Sequence, residues 1–160
     1  KIIDAGNGNQ MDTAFREGEG QYIHQQGPAP QQLAADGVGH VLAQLGPTIG
    51  ACGFSSLAAT PAWLATNTAR AFTRAYIKTR DYMNDASASE IAKAEKPLFP
   101  DIDLEVLTDC IATYQAMGCW TRHIDITQEG YDAMLDIFEY DGKLPHRYSY
   151  HQVCAPPPAI

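Results

Sequence analysis

The chain has 160 residues, of which 45% are hydrophobic and 19% charged, so it is long enough to bury a core and has the composition of a globular protein. Its formal net charge of −8 argues against binding to nucleic acid or to anionic membrane surfaces, since both need clustered Lys and Arg. No apolar run approaches the ~20 residues that a membrane span requires, so we expect no membrane insertion.

The first third of the sequence predicts strands that alternate with helices. Gly- and Pro-rich turns separate short runs of apolar residues, and apolar residues at helical spacing lie between the first two runs. This order over about 25 residues indicates a βαβ unit in an α/β layer. The predicted strands cover residues 1–5, 21–25, 39–45 and 50–56, and the predicted helices cover residues 10–17 and 31–35.

The remainder of the sequence predicts mainly helices. Ser87 and Glu90 have the spacing of a capping box, Thr127 is a candidate N-cap, and Gly142 stands where a helix stop is favoured. The segment 148–154 is either a terminal strand or irregular, and residues 155–160 form a Pro-rich tail. The predicted core stripes are Leu64, Phe72, Tyr76 and Met83; Leu104, Leu107, Ile111 and Tyr114; and Tyr131, Met134, Leu135 and Phe138.

The strongest candidate binding feature is the turn formed by Asn7, Gly8, Asn9 and Gln10, between a predicted strand and a predicted helix. Glycine lets the backbone approach a ligand closely, and the first N–H groups of a helix attract negative charge. The pattern suits a carboxylate, a sulfonate or a polar heterocycle. It lacks the third glycine of a dinucleotide fingerprint, and a simple glycine-rich turn with an Asn cap is the alternative.

Two further groups of polar residues are candidate ligand contacts. His24, Gln25 and Gln26 end the second predicted strand, and ligands in open α/β sheets bind beyond the carboxyl ends of strands. Ser55 and Ser56 place two hydroxyl groups at the end of an apolar segment. The alternatives are a solvated loop for the first group and a helix cap or turn for the second.

The sequence shows no catalytic or metal-binding constellation. The five histidines are scattered, and no HExxH, GxSxG or P-loop motif occurs. Cys52, Cys110, Cys119 and Cys154 have no zinc-finger spacing, so we expect no metal, no cofactor and no enzymatic activity. A disulfide that involves Cys154 and four buried thiols are both compatible with this spacing.

Several short motifs resemble the substrate-binding proteins of nitrate, sulfonate, taurine and thiamine-precursor ABC importers. Residues 17–23 correspond to the family's G-x-G-D passage, with Gln21 in place of the Asp. Residues 53–60 and 71–76 read GFSSLAAT and AFTRAY, which are similar to later family motifs. The likeness also covers residues 1–9, 21–31 and 126–144.

This resemblance implies a type II periplasmic-binding-protein fold with two lobes around a cleft, of which this chain would be the later portion. Residues 1–46 would form an α/β segment of the second lobe, and residues 47–160 would return to the first lobe as a mainly helical flank. The turn at Asn7, Gly8 and Asn9 would match the second-lobe ligand loop, and His24, Gln25 and Gln26 would lead back toward the cleft.

The function that the resemblance implies is capture of a small polar or anionic metabolite that contains nitrogen or sulfur, for delivery to an ABC transporter permease. The protein would be a periplasmic or cell-surface monomer, with any signal or lipid anchor upstream of Lys1. Two alternatives remain open: a pyrimidine-synthase-like enzyme on the same fold, which would need a reactive His or Cys in the cleft and would lose turnover if His24 were replaced, and the effector-binding domain of a transcription regulator.

Overall fold

The computed structural model describes residues 1–160 and contains helices but no β-strand. Helical residues make up 52% of the chain. The expectation of an α/β, type II periplasmic-binding-protein fold is therefore wrong for this structure. The helices are α1 (Gly8–Arg16), α2 (Ala29–Ala35), α3 (Gly46–Ile49), α4 (Pro61–Leu64), α5 (Asn67–Asp85), α6 (Ala88–Glu95), α7 (Leu104–Ala116), α8 (Gln128–Tyr140) and α9 (Tyr150–Val153), with a 3-10 turn at Lys96–Leu98.

The four segments predicted as strands are irregular, and the reason is the absence of a neighbouring backbone. A strand exists only where its N–H and C=O groups pair with those of another strand about 4.8 Å away, and no such pairing occurs anywhere in the chain. Their apolar side chains are consequently left in solvent, as with Ile2, Leu42 and Phe54. The terminal segment 148–154, predicted as strand or irregular, contains the short helix α9.

The chain folds into two compact units, and it passes from one to the other three times along the sequence. Unit 1 consists of Lys1–Ala43 and Ser87–Ala116, and unit 2 of Gln44–Ala86 and Met117–Ile160. The predicted assignment of residues 1–46 and 47–160 to the lobes of a binding protein stays a prediction.

The core of unit 1 lies where α7 packs against α6 and α2. Ile91 is fully buried on α6, Leu107 and Ile111 are buried on α7, and Leu33 is buried on α2. The start of α6 has the predicted capping box, because Ser87 Oγ accepts from Glu90 N while Glu90 Oε2 accepts from Ser87 N. Two otherwise unpaired N–H groups are thereby satisfied, which begins the helix at the predicted place.

The core of unit 2 is smaller, and the sequence predicted only part of it. Tyr131 and Leu135 of α8 are buried as expected, but Phe72 of α5 is 45% exposed. The small residues Ala69 and Thr73 take the buried positions on α5 instead. They lie beside Phe72 and Tyr76 on the same helical stripe, but burial is centred on the two small residues, so Phe72 at the edge of the stripe stays half exposed.

Local signals set the other helix ends of unit 2. Thr127 caps α8 by accepting from Gly130 N, and Gly142 follows the helix with a φ of +68°, both as predicted. The segment 61–85, which carries the predicted core stripe from Leu64 to Met83, is divided at Thr66 into the two helices α4 and α5. The Thr66 hydroxyl donates to the Trp63 carbonyl and accepts from Ala69 N, which ends one helix and caps the next. None of these helices is both long and apolar enough to cross a membrane.

Candidate functional site

The predicted binding turn is the N-terminus of α1, and its polar side chains form the helix cap. Asn7 Oδ1 accepts from the backbone N–H groups of Asn9 and Gln10, at 3.1 Å each. Gln10 Oε1 in turn accepts from Asn7 N at 2.9 Å. Two of the N–H groups that were expected to meet an anion are therefore already paired within the turn. Gly6, with a φ of +100°, leaves room for the Gln10 side chain to reach back.

The second predicted group meets this turn through one hydrogen bond. Gln25 is half-buried, and its Nε2 donates to the Gly8 carbonyl oxygen at 2.6 Å. His24 and Gln26, on either side of it, are exposed. The structure thus brings the Asn7–Gln10 turn and the 24–26 segment together through this one bond, without a sheet to support them.

A contact from the helical core fixes the far end of this segment. The Gly27 N–H donates to Tyr114 Oη at 2.9 Å, and the two residues are 87 apart in sequence. A side chain on Gly27 would place its Cβ 2.5 Å from Cys110 Sγ and 3.0 Å from Tyr114 Oη, so only glycine fits here. Burial, together with the carboxylates of Asp109 and Glu95, raises the pKa of the Cys110 thiol to about 11. That thiol is consequently neutral and serves in packing.

An open groove of about 390 Å³ runs along the exposed face of α1 in unit 1. Asn9, Gln10 and Thr13 supply amide and hydroxyl groups, and Glu17 and Glu19 supply two carboxylates at the end of the helix. The Asn9 side chain makes no hydrogen bond within the chain. Apart from Asn9 and Gln10, the groove residues are not among those selected from the sequence. The sequence nevertheless contains the signal for them, because residues 9, 13 and 17 share one helical face.

An ion-pair cluster holds α1 in place beside the end of α2. Arg16 contacts Asp12 at 2.6 Å and Asp36 at 2.8 Å, so that one guanidinium joins both helices. The hydrogen bond from Gln32 and the contact with Arg16 lower the pKa of Asp36. Arg16 is thereby used in positioning α1, and the residues that line the groove include no Lys or Arg.

The third predicted pair, Ser55 and Ser56, lies in unit 2. Both residues are exposed in an irregular segment ahead of α4. A second open groove, of about 340 Å³, follows them and is lined by Ala58, Ala59, Thr60 and Trp63. Trp63 packs edge-on against Phe72, with ring centroids 6.0 Å apart. Thr60 supplies a hydroxyl to this groove, but that hydroxyl already accepts from Trp63 N, so the groove along α1 is the better candidate.

Comparison with known proteins gives one informative match. The chain is 27% identical over 143 residues to a protein of Bacillus subtilis (strain 168) named "Putative binding protein YtlA". The chain is similar to a bacterial binding protein. The match covers 88% of this chain but 43% of that relative, so the chain spans less than half of the relative's length. No family model matches the sequence, and no solved structure matches it.

Proposed function

We propose that this chain is the ligand-binding part of a solute receptor that serves an ABC importer outside the cytoplasm. The observation that carries the proposal is the similarity over 88% of the chain to a protein named for binding. The resemblance of residues 53–60 and 71–76 to importer receptors adds the transport role and the permease as a partner. In this proposal the ligand is held and released without chemical conversion.

The groove along α1 is the site that we assign to the ligand. Its volume of about 390 Å³ lies in the range of pockets for small metabolites. Asn9 offers both a donor and an acceptor at one end, next to the turn that Gln25 fastens to Gly8. His24 is exposed beside Gln25. In this proposal, a ligand that extends from the groove past the turn contacts its imidazole.

The two carboxylates of the groove indicate which class of ligand it would bind. Glu17 and Glu19 accept hydrogen bonds and attract positive charge, and the lining contains no cationic side chain to receive an anion. The Asn7 cap already occupies N–H groups that an anion would need. A polar solute with an amine or an amino-substituted ring therefore fits this groove better than nitrate or a sulfonate does.

A thermal-shift panel on the full chain tests the proposal, with a diamine, an aminopyrimidine, nitrate and an alkyl sulfonate as probes. A ligand at a hundred times its Kd adds about 2.7 kcal/mol to the free energy of unfolding, which corresponds to a rise in Tm of roughly 5–10 °C. We expect such a rise with the amine or the aminopyrimidine. Glu17→Gln should raise the Kd of that probe at least tenfold, because the charged carboxylate is replaced by a neutral amide.

Glu129→Gln is the matched control, since Glu129 is an exposed glutamate of α8 outside the groove. It should leave the Kd unchanged. An equal response to nitrate or sulfonate, or no response to any probe, would contradict the assignment of this groove. His24→Ala should raise the Kd of the probe that binds, and the unaltered chain should form no product from that probe. Formation of product would indicate an enzyme and not a receptor.

A further inference from the structure

The irregular residues 20–24 of unit 1 connect the two ends of the groove along α1. At one end they continue from Glu19, which lines the groove beyond the last turn of the helix. At the other end they lead into Gln25, whose Nε2 donates to the carbonyl of Gly8, the first residue of the same helix. The segment therefore returns along α1 over the length of the candidate site. We call residues 20–24 the strap.

The backbone of the strap is held on either side of it and nowhere along it. Glu19 N donates to the Ala14 carbonyl at 2.8 Å, and Gly27 N donates to Tyr114 Oη at 2.9 Å. From Gly20 to Gln25 no backbone group takes part in a hydrogen bond within the chain. An exposed segment without backbone hydrogen bonds rearranges at little cost in free energy, so the strap can move while the helices beside it persist.

The strap also has more chain than the distance between its ends requires. The helix rises about 14 Å from Gly8 to Glu17, at roughly 1.5 Å per residue. The six steps from Glu19 to Gln25 can span about 20 Å when they are extended. Gly20 stands at the start of the strap with a φ of +89°, a region that glycine enters without strain. The excess of about 6 Å lets the middle of the strap swing toward the groove while both ends stay attached.

Tyr22 stands at the middle of the strap and has little to pack against. It is 77% exposed, whereas the next residue, Ile23, is half-buried. The face of a tyrosine ring attracts an ammonium group and stacks on a flat ring. Amines and amino-substituted rings are also the solutes that Glu17 and Glu19 favour in the groove. The strap thus carries the kind of side chain that could cover such a solute.

We propose that the strap closes over the groove when a solute binds, and that the Tyr22 ring then lies against the solute as its cover. This inference rests on the proposed function, because closure needs a solute in the groove. Closure excludes water from the groove, and the attraction between the Glu17 carboxylate and an amino group is stronger in the lower dielectric that results.

Hydrogen–deuterium exchange of the full chain tests the closure, with the diamine and the aminopyrimidine as probes. We expect the amides of residues 21–24 to exchange almost freely without a probe. The probe that binds should slow all of them at least tenfold at saturation. Residues 55–59 of unit 2 are the internal control, because they too make no backbone hydrogen bond and lie outside the groove. Their exchange should not change.

Variants of Tyr22 test the cover itself. Tyr22→Ala should raise the Kd of the bound probe at least fivefold, and Tyr22→Phe should keep it within twofold, because the ring face and not the hydroxyl makes the contact. Tyr140→Ala is the matched control, since Tyr140 is 96% exposed at the end of α8 in unit 2. Both tyrosines are in solvent in the free chain, so their replacement leaves the helices intact, which circular dichroism verifies.

The outcomes separate this inference from the receptor proposal. A probe that binds but leaves the strap exchanging freely, or slows only residues 24 and 25, would overturn the closure and leave the receptor standing. Equal effects of Tyr22→Ala and Tyr140→Ala, or a strap already protected without a probe, would overturn it as well. If neither probe binds, the receptor proposal itself fails and the closure fails with it.

Discussion

Gly27 shows how one residue without a side chain joins the candidate site to the helical core. Its N–H is held by Tyr114 Oη, and Cys110 Sγ occupies the space where a Cβ would project. The irregular segment that precedes it carries Gln25, whose side chain donates to the Gly8 carbonyl. Close packing at Gly27 therefore fixes one end of the 24–26 segment, which is otherwise largely exposed.

We expect Gly27→Ala to lower the free energy of unfolding by about 1–3 kcal/mol, because overpacking forces neighbouring atoms to shift. Urea unfolding followed by circular dichroism measures the effect. The double variant with Cys110→Ala should recover part of the loss, since the sulfur that clashes has gone. Gly46→Ala, where a Cβ would lie 3.8 Å from Met117, should cost much less. Equal losses at both glycines would show that space at residue 27 is not the cause.

At the scale of elements, the placement of α1 depends on charge. Arg16 of α1 joins Asp12 and Asp36, and the groove lies along another part of the same helix. The pKa of Asp36 is lowered in the folded chain, so its ionised form stabilises the fold above its unfolded pKa. That contribution is lost as pH falls through the lower, folded pKa.

Asp36→Asn should therefore destabilise the chain at neutral pH, and its effect should shrink as pH falls from the ordinary Asp pKa of 3.8 through the lower pKa of the folded chain. The urea midpoints of the original chain and the variant, followed from neutral pH to pH values well below the ordinary Asp pKa, measure this convergence. The exposed position of the pair keeps the difference small. Asp101→Asn, at an exposed aspartate without an ion pair, serves as the control and should show no convergence of this kind. A difference for Asp36→Asn that does not shrink at all below the ordinary Asp pKa would contradict the ion-pair explanation.

At the scale of the whole molecule, the main property is how much apolar surface stays in water. Large apolar side chains in both units are about two-thirds exposed or more: Ile2 and Leu42 in unit 1, and Phe54 and Leu57 in unit 2. The hydrophobic effect scales with the area removed from water, so the two small cores stabilise the chain less than its length would allow.

The heat-capacity change on unfolding should reveal this uncovered surface. An ordinary protein of this length has a change of about 1.9–2.4 kcal/mol/K. We expect a value lower by about 0.3 kcal/mol/K, because the chain exposes 11470 Å², roughly 2,000 Å² more than two compact units of its size would expose. Scanning calorimetry at several pH values measures it. A value above about 2.1 kcal/mol/K, which the lowered range excludes, would mean that the apolar side chains are buried in solution.

The sequence by itself determined three of the helix ends. Ser87 with Glu90, Thr127 and Gly142 act through contacts within three or four residues, so their effect is visible in the order of residues alone. Leu107 and Ile111 of α7 and Tyr131 and Leu135 of α8 are buried as apolar spacing predicted, whereas Leu104 and Phe138 are 37% and 43% exposed. The turn at Asn7 caps a helix, which was the alternative that the sequence left open beside a binding turn.

Only the tertiary structure decided the rest, because the deciding contacts are distant in sequence. Whether residues 1–5 or 50–56 form strands depends on a neighbouring backbone, which no local pattern can supply, and here none pairs with them. The bond from Gln25 to Gly8 and the bond from Gly27 to Tyr114 join residues 17 and 87 positions apart. These long-range contacts, and not the residue pattern, give the candidate site its position.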